Sequence, residues 1–269
     1  MKTRMKKTKL KVLPPVRASL AQEVEYRRRL QALVDEMHCS VLYWLSASYK
    51  RNEPEIAQDE LPAEALRKAL RKLSRQWQQN FNDAAPRLAR YFATAQKRRS
   101  ERLLYKILAD AGIAVKFTMT RAMRDVLRAS LNEQVSLIKS IPQKYLTQVE
   151  GAVMRSVSAG RDLASLTREI NEEYGVTMRR AAFIARDQSN KSTAIITRTR
   201  QLEAGIKQAI WVHSTAGKTP RPTHLAAGRR RQRYDIAKGW FDPHEQKRIL
   251  PGELPNCRCT ARAVVRGFS

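Results

Sequence analysis

Leu66-Arg67-Lys68-Ala69-Leu70-Arg71-Lys72-Leu73-Ser74-Arg75-Gln76-Trp77 sets the character of the chain. Leu66, Leu70, Leu73 and Trp77 recur every three or four residues, and Phe81, Leu88 and Phe92 prolong the series. That is the spacing of one face of an α-helix. Lys68, Arg71, Lys72 and Arg75 fall mostly off that face, so the stretch predicts an amphipathic helix rich in cations. Pro62 suits its first position, where a missing N–H costs nothing. Pro86 is expected to kink or split it, because proline removes one helical hydrogen bond and crowds the preceding turn.

The same periodicity extends in both directions. Upstream, Ser19-Leu20-Ala21-Gln22 reads as a capping box. Leu30, Leu33, Val34, Met37, Val41, Trp44 and Leu45 form the stripe that follows, with Asn52-Glu53-Pro54 ending it. Downstream, the helix after Lys97-Arg98-Arg99 should stop at Gly112. Met123, Val126, Leu127, Leu131, Val135 and Ile138 mark the next helix. Pro142 is expected to start another, with Tyr145, Val149, Val153 and Val157, ending near Gly160. Asp162 would cap a short helix of Leu163, Leu166 and Ile170 that Gly175 breaks. A further helix runs from Thr177 to about Ala204, stopped by Gly205.

After Gly205 the texture changes. Ile210-Trp211-Val212-His213 and the segment from Cys259 to Val265 read as strands, with a Pro/Gly/Arg-rich stretch between them. The expected fold class is mainly α: an elongated helical body followed by a small C-terminal α/β module with a few short strands. The expected divisions are a basic N-terminal arm over 1–15, a helical body over 16–160, and a region over 161–269. The last comprises helices over 162–205 and a small mixed module over 206–269.

Charge narrows the function. Fifty-two Lys and Arg face 25 Asp and Glu, a net charge of +27. Such a surplus repels itself unless a polyanion is near, and nucleic acid is the commonest one. No run of 18 apolar residues is present, so no membrane span is expected. The basic start Met1–Lys7 is followed by no hydrophobic segment, which predicts no secretory signal. Three cysteines cannot build a disulfide framework and point to a reducing compartment.

Candidate DNA contacts are Lys2, Arg4, Lys6, Lys7, Lys9 and Lys11 in the arm, and Arg229, Arg230, Arg231 and Arg233 in the C-terminal module. Guanidinium forks suit phosphates, which fix position without reading sequence. Trp211, Tyr234, Trp240 and Phe241 lie among them and would either stack on bases or fill the module's core.

His213, His224 and His244 share this region with Cys257 and Cys259. Zinc takes about four such ligands. His224, Cys257 and Cys259, joined by His213 or His244, suffice in type, although Cys-x-Cys is not the usual knuckle spacing. No cofactor is expected, with zinc as the alternative. His38 and Cys39 read as a structural histidine and an inert, half-buried thiol. His224, Asp235, Asp242, His244 and Glu245 include general-base and Mg²⁺-ligand types. No His-Asn-His arrangement, serine triad or phosphate loop accompanies them.

The segment from about Gly160 to Val265 resembles the phage Mu F-like minor head proteins, also called phage head morphogenesis proteins. The resemblance rests on Ile184-Ala185-Arg186-Asp187-Gln188, Gly205-Ile206 leading to Trp211, Arg221-Pro222-Thr223-His224, Pro251-Gly252, and Pro255-Asn256-Cys257-Arg258-Cys259. Arg186, Gly205, Trp211, Arg221, His224, Asn256, Cys257 and Cys259 are thereby the family-motif residues. Many members have Cys-x-x-Cys where this chain has Arg221 to His224, and a histidine where Leu254 stands. A zinc set on the family pattern would keep only His224, Cys257 and Cys259.

The resemblance implies a non-enzymatic, low-copy component of the virion. It would lie inside the capsid, and in the host cytoplasm during assembly. Its partners would be the portal protein, double-stranded DNA bound non-specifically, and major capsid or scaffolding protein. Some members leave the head with the genome, which links the family to DNA packaging and ejection. The competing readings are a metal-dependent, nuclease-like enzyme with a C-terminal His/Cys site, and a chromosome- or RNA-binding host protein.

Overall fold

The computed structural model describes residues 10–51, 62–158, 163–215 and 219–266. The chain is mainly α. In order, the elements are β1 (Leu10–Val12), α1 (Leu20–Arg51), α2 (Pro62–Ala109), α3 (Arg121–Ser158), α4 (Leu163–Glu203) and β2 (Gln208–Val212). Then come α5 (Pro222–Arg229), β3 (Arg233–Asp235), β4 (Trp240–Asp242), β5 (Lys247–Ile249) and β6 (Thr260–Arg266). No helix among the described residues is long and apolar enough to cross a membrane.

Three expected breaks are absent. Helix α2 runs unbroken through Pro86. Pro86 is exposed, and burial of Phe81, Ala85, Ala89 and Phe92 along the helix outweighs its local cost. Helix α3 runs through Pro142 instead of starting there. Burial of Ile138, Ile141 and Tyr145 on the same turns outweighs the local cost of the proline. Helix α4 continues through Gly175. A helical glycine costs only about 1 kcal/mol, and Tyr174 anchors that turn by stacking on His38 at 4.1 Å and donating to Asp35. The helix ends follow the sequence signals more closely. Gly112 (φ 81°) and Gly205 (φ 73°) follow the last turns of α2 and α4 in the left-handed region. Ser19 Oγ accepts from Gln22 N at the start of α1. Asn52, Pro54, Gly160 and Asp162 lie outside the described residues.

The chain divides into two compact units. One comprises residues 24–91 and 131–185, segments of all four long helices. Its core is the predicted stripe, Leu30, Val34, Met37, Val41, Leu45, Leu66, Leu70, Leu73 and Phe81, met by Ile138, Ile141, Tyr145, Val149 and Ile170. Trp44 departs from its stripe and is 49% exposed. His38 is the expected structural histidine: Tyr145 Oη lies 2.8 Å from Nδ1 and Asn171 Oδ1 3.1 Å from Nε2. Cys39 beside it is exposed rather than half-buried, because the helix turns consecutive residues about 100° apart.

The other unit comprises residues 1–23, 92–130 and 186–269. It holds a four-stranded antiparallel sheet of order β1-β6-β2-β3 and a separate hairpin, β4-β5. The distal end of the expected basic arm is therefore not an arm. Leu10, Lys11 and Val12 pair with Arg266, Val265 and Val264, and Leu13 and Val16 are buried. Burial drives this, since Leu13 and Val16 join the same core as Trp211, Ile249 and Val265. Arg200 of α4, 1% exposed at its side chain, is ion-paired to Glu101 and Glu203 and donates to Thr118 O (2.7 Å).

Candidate functional site

The site is built where β2 ends, α5 begins and the chain enters β6. Pro222 opens α5 at its first turn, with Arg221 as the extended cap residue. His224 and Gly228 are four residues apart and so share a helix face. A side chain at 228 would place its Cβ 2.4 Å from His213 Cβ, so glycine there lets α5 close onto the residue following β2. His224 is 2% exposed and packs edge-on against the Trp211 ring at 5.0 Å.

The opposite side is the loop before β6. Gly252 (φ 83°) passes so close to α4 that a Cβ would lie 2.8 Å from Ala194 Cβ. Leu254 is buried in the apolar core, and its carbonyl accepts from Cys257 N (2.9 Å) to close a tight turn. Asn256 occupies the left-handed region (φ 60°) and its N–H donates to Asp187 Oδ1 at 2.6 Å. Arg221 donates to the Pro255 carbonyl at 3.1 Å. Cys257 and Cys259 then lie on the same side of an extended segment, two residues apart, 4% and 5% exposed.

These elements bring His224, Cys257 and Cys259 together, with all three ligand atoms within 4.8 Å of one another. His224 Nδ1 is 3.6 Å from Cys257 Sγ and 3.7 Å from Cys259 Sγ. His213 Nδ1 is 3.6 Å from Cys259 Sγ. On its far side, His224 Nε2 lies 3.5 Å from Asp242 Oδ2, a carboxylate fully buried on β4. Asp242 is held by Thr223 Oγ1 (3.0 Å) and by the His244 backbone N–H (2.9 Å).

Electrostatics favour one thiolate in this pair. The Cys259 thiol donating to Cys257, followed by His224, lowers the Cys257 pKa against the opposing effect of burial. Its hydrogen bond to Cys257, and then burial, push Cys259 the other way. Burial first, then the nearby His224, lowers the His213 pKa.

The family-motif residues therefore have local jobs. Trp211 is core, 1% exposed; Gly205 terminates α4; Arg221 and Asn256 fix the two approaches to the cluster. Arg186 is half-buried on α4, beside Asp187. The sequence gives no sign of Asp187 as a positioning residue, since nothing in its neighbourhood signals that it reaches residue 256.

Of the nuclease-type residues, His224 and Asp242 meet at 3.5 Å. Among the described residues the metal-competent cluster contains neither Asp235 nor Glu245. Asp235 Oδ1 instead accepts from Ala237 and Lys238 N–H (2.8 and 3.0 Å), holding a turn. His244 stands exposed at the β4–β5 turn, 77% at its side chain.

The basic candidates fall on the surface. Arg229 and Arg230 end α5, Arg231 (φ 51°) makes the turn and Arg233 starts β3, all exposed. Lys11 is exposed on β1, its Nζ donating to the Asp110 carbonyl at 3.4 Å. Lys2, Arg4, Lys6, Lys7 and Lys9 lie outside the described residues. Of the aromatics, Trp211 and Tyr234 are core and Trp240 packs partly against them, while Phe241 is 48% exposed.

Residues 147–262 match the family described as Phage Mu protein F like protein, which bears out the resemblance read from the sequence and extends it back into α3. A protein of Haemophilus influenzae, itself described as an uncharacterized protein, is 28% identical over 265 residues. That alignment covers 96% of this chain and 57% of the relative, so the chain spans little more than half its length. No solved structure matches.

Proposed function

We propose that this chain is a minor head protein of a tailed bacteriophage, lying inside the capsid, docking on the portal during head assembly and resting against packaged DNA. The observation that carries the reading is the Mu F-like region over residues 147–262 in a chain of net charge +27. Inside a filled head the chain would sit beside a dense polyanion, where that surplus is neutralised instead of self-repelling. The four exposed arginines between α5 and β3 are the described residues best placed to meet phosphates.

Two measurements test this. The chain, co-expressed with a portal protein encoded by the same phage genome, should co-purify with the portal; separation of the two at low salt would sink the docking. Affinity for random-sequence duplex DNA should fall steeply with salt. Replacing Arg229, Arg230, Arg231 and Arg233 by Gln should reduce the slope of log K against log salt by up to about 3.6, at about 0.9 for each phosphate that is no longer neutralised. An unchanged slope would remove these arginines from the interface.

A further inference from the structure

We propose that His213, His224, Cys257 and Cys259 together hold one zinc ion in a closed, structural site, with Asp242 orienting His224 from outside.

The ligand spacing fits the ion. A tetrahedral ion with Zn–S near 2.3 Å and Zn–N near 2.0–2.1 Å sets its nitrogen and sulfur ligands about 3.5 Å apart. His224 Nδ1 stands 3.6 and 3.7 Å from the two sulfurs, and these three ligand atoms all lie within 4.8 Å of one another. His213 Nδ1 stands 3.6 Å from Cys259 Sγ but outside that group, so it would turn inwards to complete the four. His224 Nδ1 faces both sulfurs at nearly equal distance, the arrangement that an ion seated between them would impose.

The surroundings agree with a metal. His224 Nε2 is buried, makes no hydrogen bond of good geometry, and lies 3.5 Å from Asp242 Oδ2. Carboxylate–histidine pairs of this kind fix ring orientation behind a metal. Two thiolates and two neutral imidazoles around a divalent ion sum to zero charge, which suits a site whose cysteines are 4% and 5% exposed. Sulfur and imidazole in this number select zinc over magnesium or calcium. Four protein ligands leave no open position, so the ion would tie the end of β2, α5 and the strand entering β6 together.

The choice of His213 over His244 is the new element. His213 is set against α5 by the missing Cβ of Gly228, whereas His244 points out from the hairpin turn. The site depends on these four residues alone and stands whether or not the chain is a head protein.

The test uses the full chain, stripped with chelator and reloaded with zinc. One zinc per chain should remain after exhaustive dialysis, and X-ray absorption should show two sulfur and two imidazole nitrogen neighbours. His213→Ala should weaken binding by about 100-fold or more, beyond the loss of about 10–100-fold expected when Asp242→Asn removes the outer partner. His244→Ala should bind as the wild type does. Absence of stoichiometric zinc, a neighbour count other than two and two, or wild-type affinity in His213→Ala overturns the proposal. The absorption measurement needs no variant, so a misfolded His213→Ala leaves the outcome decided.

Discussion

Replacing Arg200 by Met should destabilise the sheet-bearing unit by about 3 kcal/mol. The Arg200 side chain is 1% exposed, and its guanidinium is shared between Glu101, Glu203 and the Thr118 carbonyl, 5.1 Å from the Phe117 ring centre. Breaking a buried ion pair from one side costs about 3–5 kcal/mol, chiefly because the partner charge is stranded. Here the carboxylates are 15% and 21% exposed, and Glu101 keeps Lys97 at 2.8 Å, which places the cost at the lower end. Methionine nearly preserves volume, so little of the loss is a cavity. Urea denaturation followed by circular dichroism and tryptophan fluorescence should show the shift. Adding Glu101→Gln and Glu203→Gln should recover about half of it, since neutral amides are cheaper to leave buried. A loss under about 1 kcal/mol, the value of a surface pair, or no recovery in the triple variant, would mean that Arg200 is not the buried charge centre described.

Other expectations follow from single contacts. Gly252→Ala should cost about 2 kcal/mol or more, from the left-handed φ of 83° and a Cβ 2.8 Å from Ala194; adding Ala194→Gly should relieve the second part only, as thermal melts would show. Asp187→Ala should cost about 1 kcal/mol through loss of the charge-assisted bond to the Asn256 N–H, and should weaken zinc retention, measured by metal content after dialysis. Stability should also fall with acid through His38. Burial lowers its folded pKa against the support of Asn171 and Asp35, so below about 6.5 the unfolded chain takes up a proton that the folded one resists. The contribution is intact above that pH and is lost as pH falls towards the folded value; His38→Gln should flatten the profile of unfolding free energy between about pH 7.5 and 5.5.

The long helices are legible because their apolar residues repeat at a period of about 3.6 and their ends carry glycine. Gly112 and Gly205 mark real termini, as left-handed backbone favours glycine. The internal punctuation misleads. Pro86, Pro142 and Gly175 carry local penalties of about 1–3 kcal/mol, and burial of the flanking residues outweighs them. Periodicity measures a sum over many turns, whereas a breaker measures one. Strand β1 escapes a reading of the sequence for a related reason: Lys11 and its neighbours look like a charged tail, and only the buried Leu13 and Val16 beyond it show that the segment is held.

The cluster itself is half legible, and its spacing explains why. Cys-x2-Cys presents two sulfurs across a turn, so Cys-x-Cys looks wrong for a metal. In an extended chain, however, alternate residues point the same way, and Cys257 and Cys259 flank Arg258 just before β6. Sequence can assign the sulfurs to one face without saying what faces them. The partners come from 33 and 46 positions away, the separations of Cys257 from His224 and Cys259 from His213. What decides between His213 and His244 is a residue with no side chain at all. Gly228 sets how closely α5 approaches the end of β2, and a Cβ there would meet His213 at 2.4 Å. Gly228→Ala should therefore separate His213 from the cluster while leaving His224, Cys257 and Cys259 in place. If the four-ligand site is right, zinc affinity in that variant should fall towards that of His213→Ala, and the two changes combined should cost little more than either alone. Additive losses would mean that Gly228 serves packing alone and that His213 reaches the ion without it.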